Sequence, residues 1–108
     1  MPFHVEELAY QLIAELRPVV PKIKRHERAL ADQLTRAASS VALNTAESNY
    51  SDPGNKRARL FTAAGSANET RAALRVAMAW GYCTDRETEG ARGLLDRIVA
   101  MLWKLTRR

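Results

Sequence analysis

A chain of 108 residues with 46% hydrophobic and 27% charged residues is sized for a single domain, residues 1–108, with one modest core, and is too apolar for disorder. Seventeen Lys and Arg against twelve Asp and Glu leave a net charge of +5, and most of the cations are arginines, whose forked donors suit phosphate and carboxylate groups. The single cysteine excludes an intramolecular disulfide, no run approaches the roughly 18 apolar residues of a membrane span, and MPFHVEELAY lacks the basic start and apolar run of a signal peptide, so the expectation is a cytoplasmic protein without a membrane contact.

Val5, Leu8, Ala9, Leu12, Ile13, Leu16, Val19, Val20 and Ile23 recur at spacings of three and four and predict a first helix. Pro18 and Pro21 each remove a backbone donor and crowd the preceding turn, which predicts a kink near Arg17. The unbroken apolar phase favours one bent helix over two unrelated pieces. A second helix is predicted from about Glu27 to Ser48, through Leu30, Leu34, Ala37, Ala38, Val41 and Thr45. SNYSDPGNK then crowds turn-formers into the clearest loop of the chain.

The third helix is predicted from about Lys56 to Met78, through Leu60, Phe61, Ala64, Ala67, Leu74 and Ala77, with Gly81 as its stop. The fourth, capped by Thr84 or Asp85, carries Leu94, Leu95, Ile98, Leu102 and Leu105 on one side and ends in a basic tail. Four helices, short connections and no strand signal make an all-α, antiparallel up-and-down four-helix bundle the economical fold. Alanines crowd the middle two helices, so these are expected to be the tightly packed pair. The apolar surplus of the first and fourth helices is the expected subunit interface.

The second helix also carries a polar stripe. Arg36, Ser40, Asn44 and Glu47 follow one another at helical spacing and share a face, and Thr62, Ser66 and Glu69 form a second line on the third helix beside Gly65. Arg36 and Asn44 are expected to meet Glu69 and Ser66 in a buried network that fixes register more than it adds stability.

Little in the sequence points to catalysis. A di-metal centre in a helical bundle needs Glu-x-x-His pairs; none occurs, and His26 in KRHER reads as a solvated connector. Cys83 has no nearby histidine, glycine-rich phosphate loops are missing, and Gly65-Ser66 reads as a close-packing point. No metal, cofactor or enzymatic activity is expected. Trp80, Tyr82 and Trp103, at helix ends, read as core or interface packing rather than stacking platforms. The candidate contacts are cationic: Lys22, Lys24, Arg25 and Arg28 around the first turn, Lys56, Arg57 and Arg59 at the start of the third helix, and Lys104, Arg107 and Arg108 at the end of the fourth. A solvated surface is the plainer reading of the same residues, and cations at a helix start oppose the macrodipole.

LADQLTRAASSVALNTAES, Leu30 to Ser48, followed by RLFTAAGSANETRAALRVAMAWGY, Arg59 to Tyr82, resembles the four-helix-bundle proteins encoded by intervening sequences in bacterial large-subunit ribosomal RNA genes. That family includes the accessory variability protein of diversity-generating retroelements. The resemblance implies a homopentameric ring and, for the retroelement members, binding to nucleic acid and to a reverse transcriptase through a basic surface. Where the family pattern reads N-I-A-E-G, this chain has Asn44, Thr45, Ala46, Glu47 and Ser48. Thr45 thus replaces a large apolar side chain, and helix termination passes to Ser48 or to Asn49, which tolerates the left-handed conformation better.

Together these features predict a non-enzymatic, ring-forming bundle that acts as a nucleic-acid-binding or scaffold component, with RNA or DNA as partner. The alternative is an adaptor for a reverse-transcriptase-like or acidic protein, without direct nucleic-acid binding.

Overall fold

Helix breaks in this chain fall at a proline, an extended residue, a side-chain cap or a left-handed glycine. The computed structural model describes residues 2–107, with side chains from residue 4 onward. Five helices follow in order: α1 (Pro2–Leu16), α2 (Val20–His26), α3 (Arg28–Ser48), α4 (Pro53–Ala79) and α5 (Asp85–Thr106). No strand occurs among the described residues, and no helix there is long and apolar enough to cross a membrane.

The predicted first helix is two. Pro18 cannot donate to an α-helical ladder, so α1 stops at Leu16 and the chain turns through a bond from the Val19 amide to the Leu16 carbonyl at 3.0 Å. Pro21 then falls in the first turn of α2, where its missing N–H costs nothing. The apolar phase carries across the break, since Leu12, Leu16, Val19 and Ile23 are all buried. A single extended residue, Glu27 (φ −154°, ψ 99°), ends α2 and caps α3.

The α3–α4 connection departs from expectation twice. Asn49 stays right-handed (φ −70°, ψ −19°), and the helix end is closed by tighter bonds from Asn49 to the Ala46 carbonyl and from Tyr50 to Glu47. The Asn49 amide group instead donates to the Glu6 carboxylate at 2.7 Å, tying this corner to α1. Helix α4 begins at Pro53 rather than Lys56, because Asp52 is its N-cap, accepting from the Asn55 amide at 2.9 Å, and Pro53 occupies the first helical turn. Thr45 is fully buried, with its hydroxyl donated to the Val41 and Ala42 carbonyls of its own helix.

Gly81 (φ 81°) terminates α4: its amide bonds the Met78 carbonyl and the Tyr82 amide bonds that of Ala77, both at 2.9 Å, the paired closure of a Schellman motif. Thr84 then starts α5 with a reciprocal capping box to Glu87.

Neighbouring helices run antiparallel. Ser40 meets Ser66 and Glu47 meets Arg59 across α3 and α4, while Arg71 meets Asp96 and Met78 meets Thr88 across α4 and α5. Helix α1 packs on both α3 and α5, and α2 packs on α3. All five contribute to one apolar core around Leu8, Leu12, Ile23, Leu34, Leu74, Leu95, Ile98 and Leu102. The most extensive contact is α3 with α4, where Ala37, Ala38, Ala42, Ala63, Ala67, Ala73 and Ala77 are buried.

Gly65 is not part of that packing. It is exposed, and nothing lies within 4 Å of where a Cβ would stand. At Gly90 the Glu15 carboxylate of α1 fills that space. Gly65→Ala is therefore expected to raise unfolding free energy by about 0.5–1 kcal/mol through helix propensity alone. Gly81→Ala is expected to lower it by about 1–2 kcal/mol, because alanine must enter the left-handed region. Urea denaturation of the two variants checks the opposite signs.

Candidate nucleic-acid interface

The three cationic clusters of the sequence fall at two ends of the molecule. Because α4 and α5 run antiparallel, the start of α4, with Lys56, Arg57 and Arg59, lies at the same end as Lys104 and Arg107 of α5. The α1 start reaches this end through the Glu6–Asn49 bond. Lys22, Lys24, Arg25 and Arg28 occupy the opposite end, beside the close of α4 and the start of α5. Arg108 lies outside the described residues.

Within each end the cations differ in what already holds them. Lys22 pairs with Glu87, and the Arg59 guanidinium is 3.8 Å from the Glu47 carboxylate and 3.5 Å from the Asn44 carbonyl oxygen. Arg57 lies over the Phe61 ring, 5.2 Å from its centre, and Arg107 over Trp103 at 4.0 Å. Lys24, Arg25, Arg28 and Lys104 are exposed, and Lys56 is half-buried.

The polar stripe is assembled differently from expectation. Ser40 and Ser66 share a hydrogen bond of 2.7 Å between α3 and α4. One turn further along α3, Asn44 has passed the level of Ser66, so its amide donates to the Ser40 carbonyl and hydroxyl while its oxygen accepts from Arg59. Arg36 and Glu69 are exposed and line, with Gln33, Ala29, Ala37 and the two serines, an open groove of about 350 Å³; they are not among the ion pairs of the described residues. The network is thus a half-buried serine pair with a wet rim. Solvated charges this close gain little from pairing and lose side-chain entropy.

Of the core or interface packing read for the aromatic residues, the core is excluded for both tryptophans. Trp80 is 68% and Trp103 57% exposed, so neither belongs to the core. The left-handed turn at Gly81 brings Tyr82 back over α2, where its ring lies parallel to that of His26 (centres 4.8 Å apart, 3° between planes). The Trp80 ring is offset on the same stack, 6.3 Å from Tyr82 at 14°. The Tyr82 hydroxyl donates to Glu27 at 3.1 Å, and burial together with that carboxylate raises the phenol's pKa. The stack's local signal is Trp-Gly-Tyr at a helix end, but its third ring comes from a different helix.

Exposed apolar side chains also lie away from the expected faces. Apart from Tyr10 and Trp103 they are Leu43, Tyr50, Phe61, Val76 and Trp80, on α3, α4 and the connections beside them, whereas most of the large apolar residues of α1 and α5 are at least half-buried. Cys83 is buried, which pushes its thiol pKa up, opposite to the shift that activates a nucleophile.

Among the described residues, five helices on one core, with charged side chains and exposed rings at the surface, define an all-helical fold. The chain belongs to the 23S rRNA-intervening sequence protein family, whose model matches residues 3–104. Its fold is similar to the crystal structure of a protein with unknown function from the S23 ribosomal protein family of Bacteroides thetaiotaomicron VPI-5482, with a TM-score of 0.81, 18% identity, and coverage of 96% of this chain and 99% of that one. No curated protein matches.

The Lys22–Glu87 pair makes the cationic end of α2 sensitive to acid. The Lys22 ammonium, then the Thr84 backbone amide, hold the Glu87 carboxyl below the usual range. A folded value below the unfolded one stabilises the fold above the ordinary glutamate range and is lost as pH falls through the lowered value. Glu87→Gln is accordingly expected to be less stable than the parent at neutral pH, with the difference closing under acid. Thermal melts across pH read both arms.

Proposed function

We propose that this protein is a non-enzymatic, cytoplasmic nucleic-acid-binding or scaffold component. In this reading α1 and α2 act as one bent arm of an up-and-down four-helix bundle, and five copies close into a ring. The observation that carries the reading is the gathering of three separate basic clusters at two ends of the chain, Lys56, Arg57 and Arg59 beside Lys104 and Arg107, and Lys22, Lys24, Arg25 and Arg28 opposite. Symmetric repetition multiplies each end into a band of charge, and such a band holds a phosphate backbone with little sequence preference. Ser40 and Ser66 serve this arrangement structurally by fixing the register of α3 on α4.

A second reading, an adaptor for an acidic or reverse-transcriptase-like protein, draws on the exposed Leu43, Phe61 and Val76, since apolar side chains at a surface favour a protein partner. Salt separates the two, because phosphate contacts weaken steeply with added salt and a partly apolar interface weakens less.

The purified protein, untreated with nuclease, is expected to elute from size exclusion with the light-scattering mass of five chains and with excess absorbance at 260 nm that disappears in high salt. A five-chain mass with a clean protein spectrum favours the adaptor; a monomer overturns the ring.

A further inference from the structure

We propose that the His26–Tyr82–Trp80 stack is a binding platform for an unpaired nucleobase, which continues the stack on the outward side of Trp80 while its phosphates meet Lys24, Arg25 and Arg28. The proposal rests on the nucleic-acid reading above and adds which form of nucleic acid is preferred and where it is held.

Three observations converge on this end of the molecule. The first is geometric: two rings lie within 3° of parallel and the third within 14°, so the ladder is already built in the free chain. Its parts are fixed by the backbone, since the left-handed Gly81 turns Tyr82 onto α2 and the Tyr82 hydroxyl is held by Glu27. The second is exposure. Trp80, stacked offset on Tyr82, keeps 68% of its surface in water, although burying an indole is among the larger apolar gains open to a small fold. The third is charge. Lys24 and Arg25 immediately precede His26 in the last turn of α2, and Arg28 follows Glu27; all three are exposed. Of the carboxylates at this end, Glu27 is engaged by Tyr82 and Glu87 by Lys22, while Asp85 and Glu89 of α5 are exposed.

Planar rings that end in a free face, flanked by cations, match a nucleotide strand, which presents a π-face and a phosphate at every step. Bases inside a duplex have both faces covered, so the platform discriminates for unpaired strands. Ring stacking reads neither base identity nor the 2′-hydroxyl, so single-stranded RNA and DNA are expected to bind alike.

The test compares the parent protein with Trp80→Ala, Trp80→Phe and Tyr50→Ala in fluorescence anisotropy with short oligothymidylate, oligouridylate and a DNA duplex of equal length. Tyr50 is the control, an exposed ring at the opposite end. Trp80→Ala is expected to weaken both single strands about tenfold, as befits one lost base stack, and to leave duplex binding and salt dependence unchanged. Trp80→Phe keeps a ring and is expected to recover most of the loss; Tyr50→Ala is expected to bind single strands as the parent does.

Unchanged single-strand binding by Trp80→Ala overturns the platform, as does an equal loss on single strands and duplex. A lower light-scattering mass for Trp80→Ala also overturns it, by showing that Trp80 is a subunit contact. If the parent protein binds none of the three probes at low salt, the nucleic-acid reading itself falls, which distinguishes that failure from the platform's alone.

Discussion

The seam between α3 and α4 is the constraint on which the remaining placement depends. Buried alanines are frequent on both helices, and small residues let helix axes approach without the large interlocking side chains that would otherwise set their relative height. Apolar methyl groups do not distinguish one register from its neighbour one turn away. The hydroxyl pair of Ser40 and Ser66 does, because a slip of one turn leaves two half-buried hydroxyls without each other. With that height set, Glu47 falls opposite Arg59, and the α4 start comes level with the end of α3.

The first third of the chain is subject to a different constraint. Two prolines three residues apart forbid a continuous ladder, yet the apolar residues on either side of the break enter one core, so α2 is redirected rather than detached. That redirection carries Lys24, Arg25 and His26 to the close of α4. There Gly81 has turned Tyr82 to meet them, so the ring stack exists only because a proline break and a glycine turn aim two distant segments at the same place.

How much of this was legible varies with the range of the interaction involved. The α3 span was readable nearly to the residue, since its apolar phase and polar flanks are local properties. The Thr84 cap was readable for the same reason. The start of α4 was placed three residues late because Asp52 and Pro53 are turn-formers in composition and a cap with its first-turn proline in context. Gly65 reads as a packing point by its neighbours in sequence, but it faces solvent, and no local pattern distinguishes the two sides of so alanine-rich a helix. The basic clusters were visible, as was the antiparallel order that brings two of them to one end; which cations are already paired required the side-chain contacts. Trp80 and Tyr82 could not be placed from a window at all, because one left-handed residue decides which of them turns inward.

The first turns of α3 and α4 carry no acidic residue, and Arg28, Lys56 and Arg57 stand there instead. Unpaired amides at a helix start already amount to about half a positive charge, which these cations oppose and the acidic N-cap residues Glu27 and Asp52 offset. Among the described residues, α5 alone places carboxylates inside its first turn, at Asp85 and Glu87. At the α4 start the Asp52 carboxylate, held below its usual range by the Asn55 amide, balances that opposition locally, and added salt screens both charges alike. The two helix starts are therefore closer to electrical balance than their cations alone would make them.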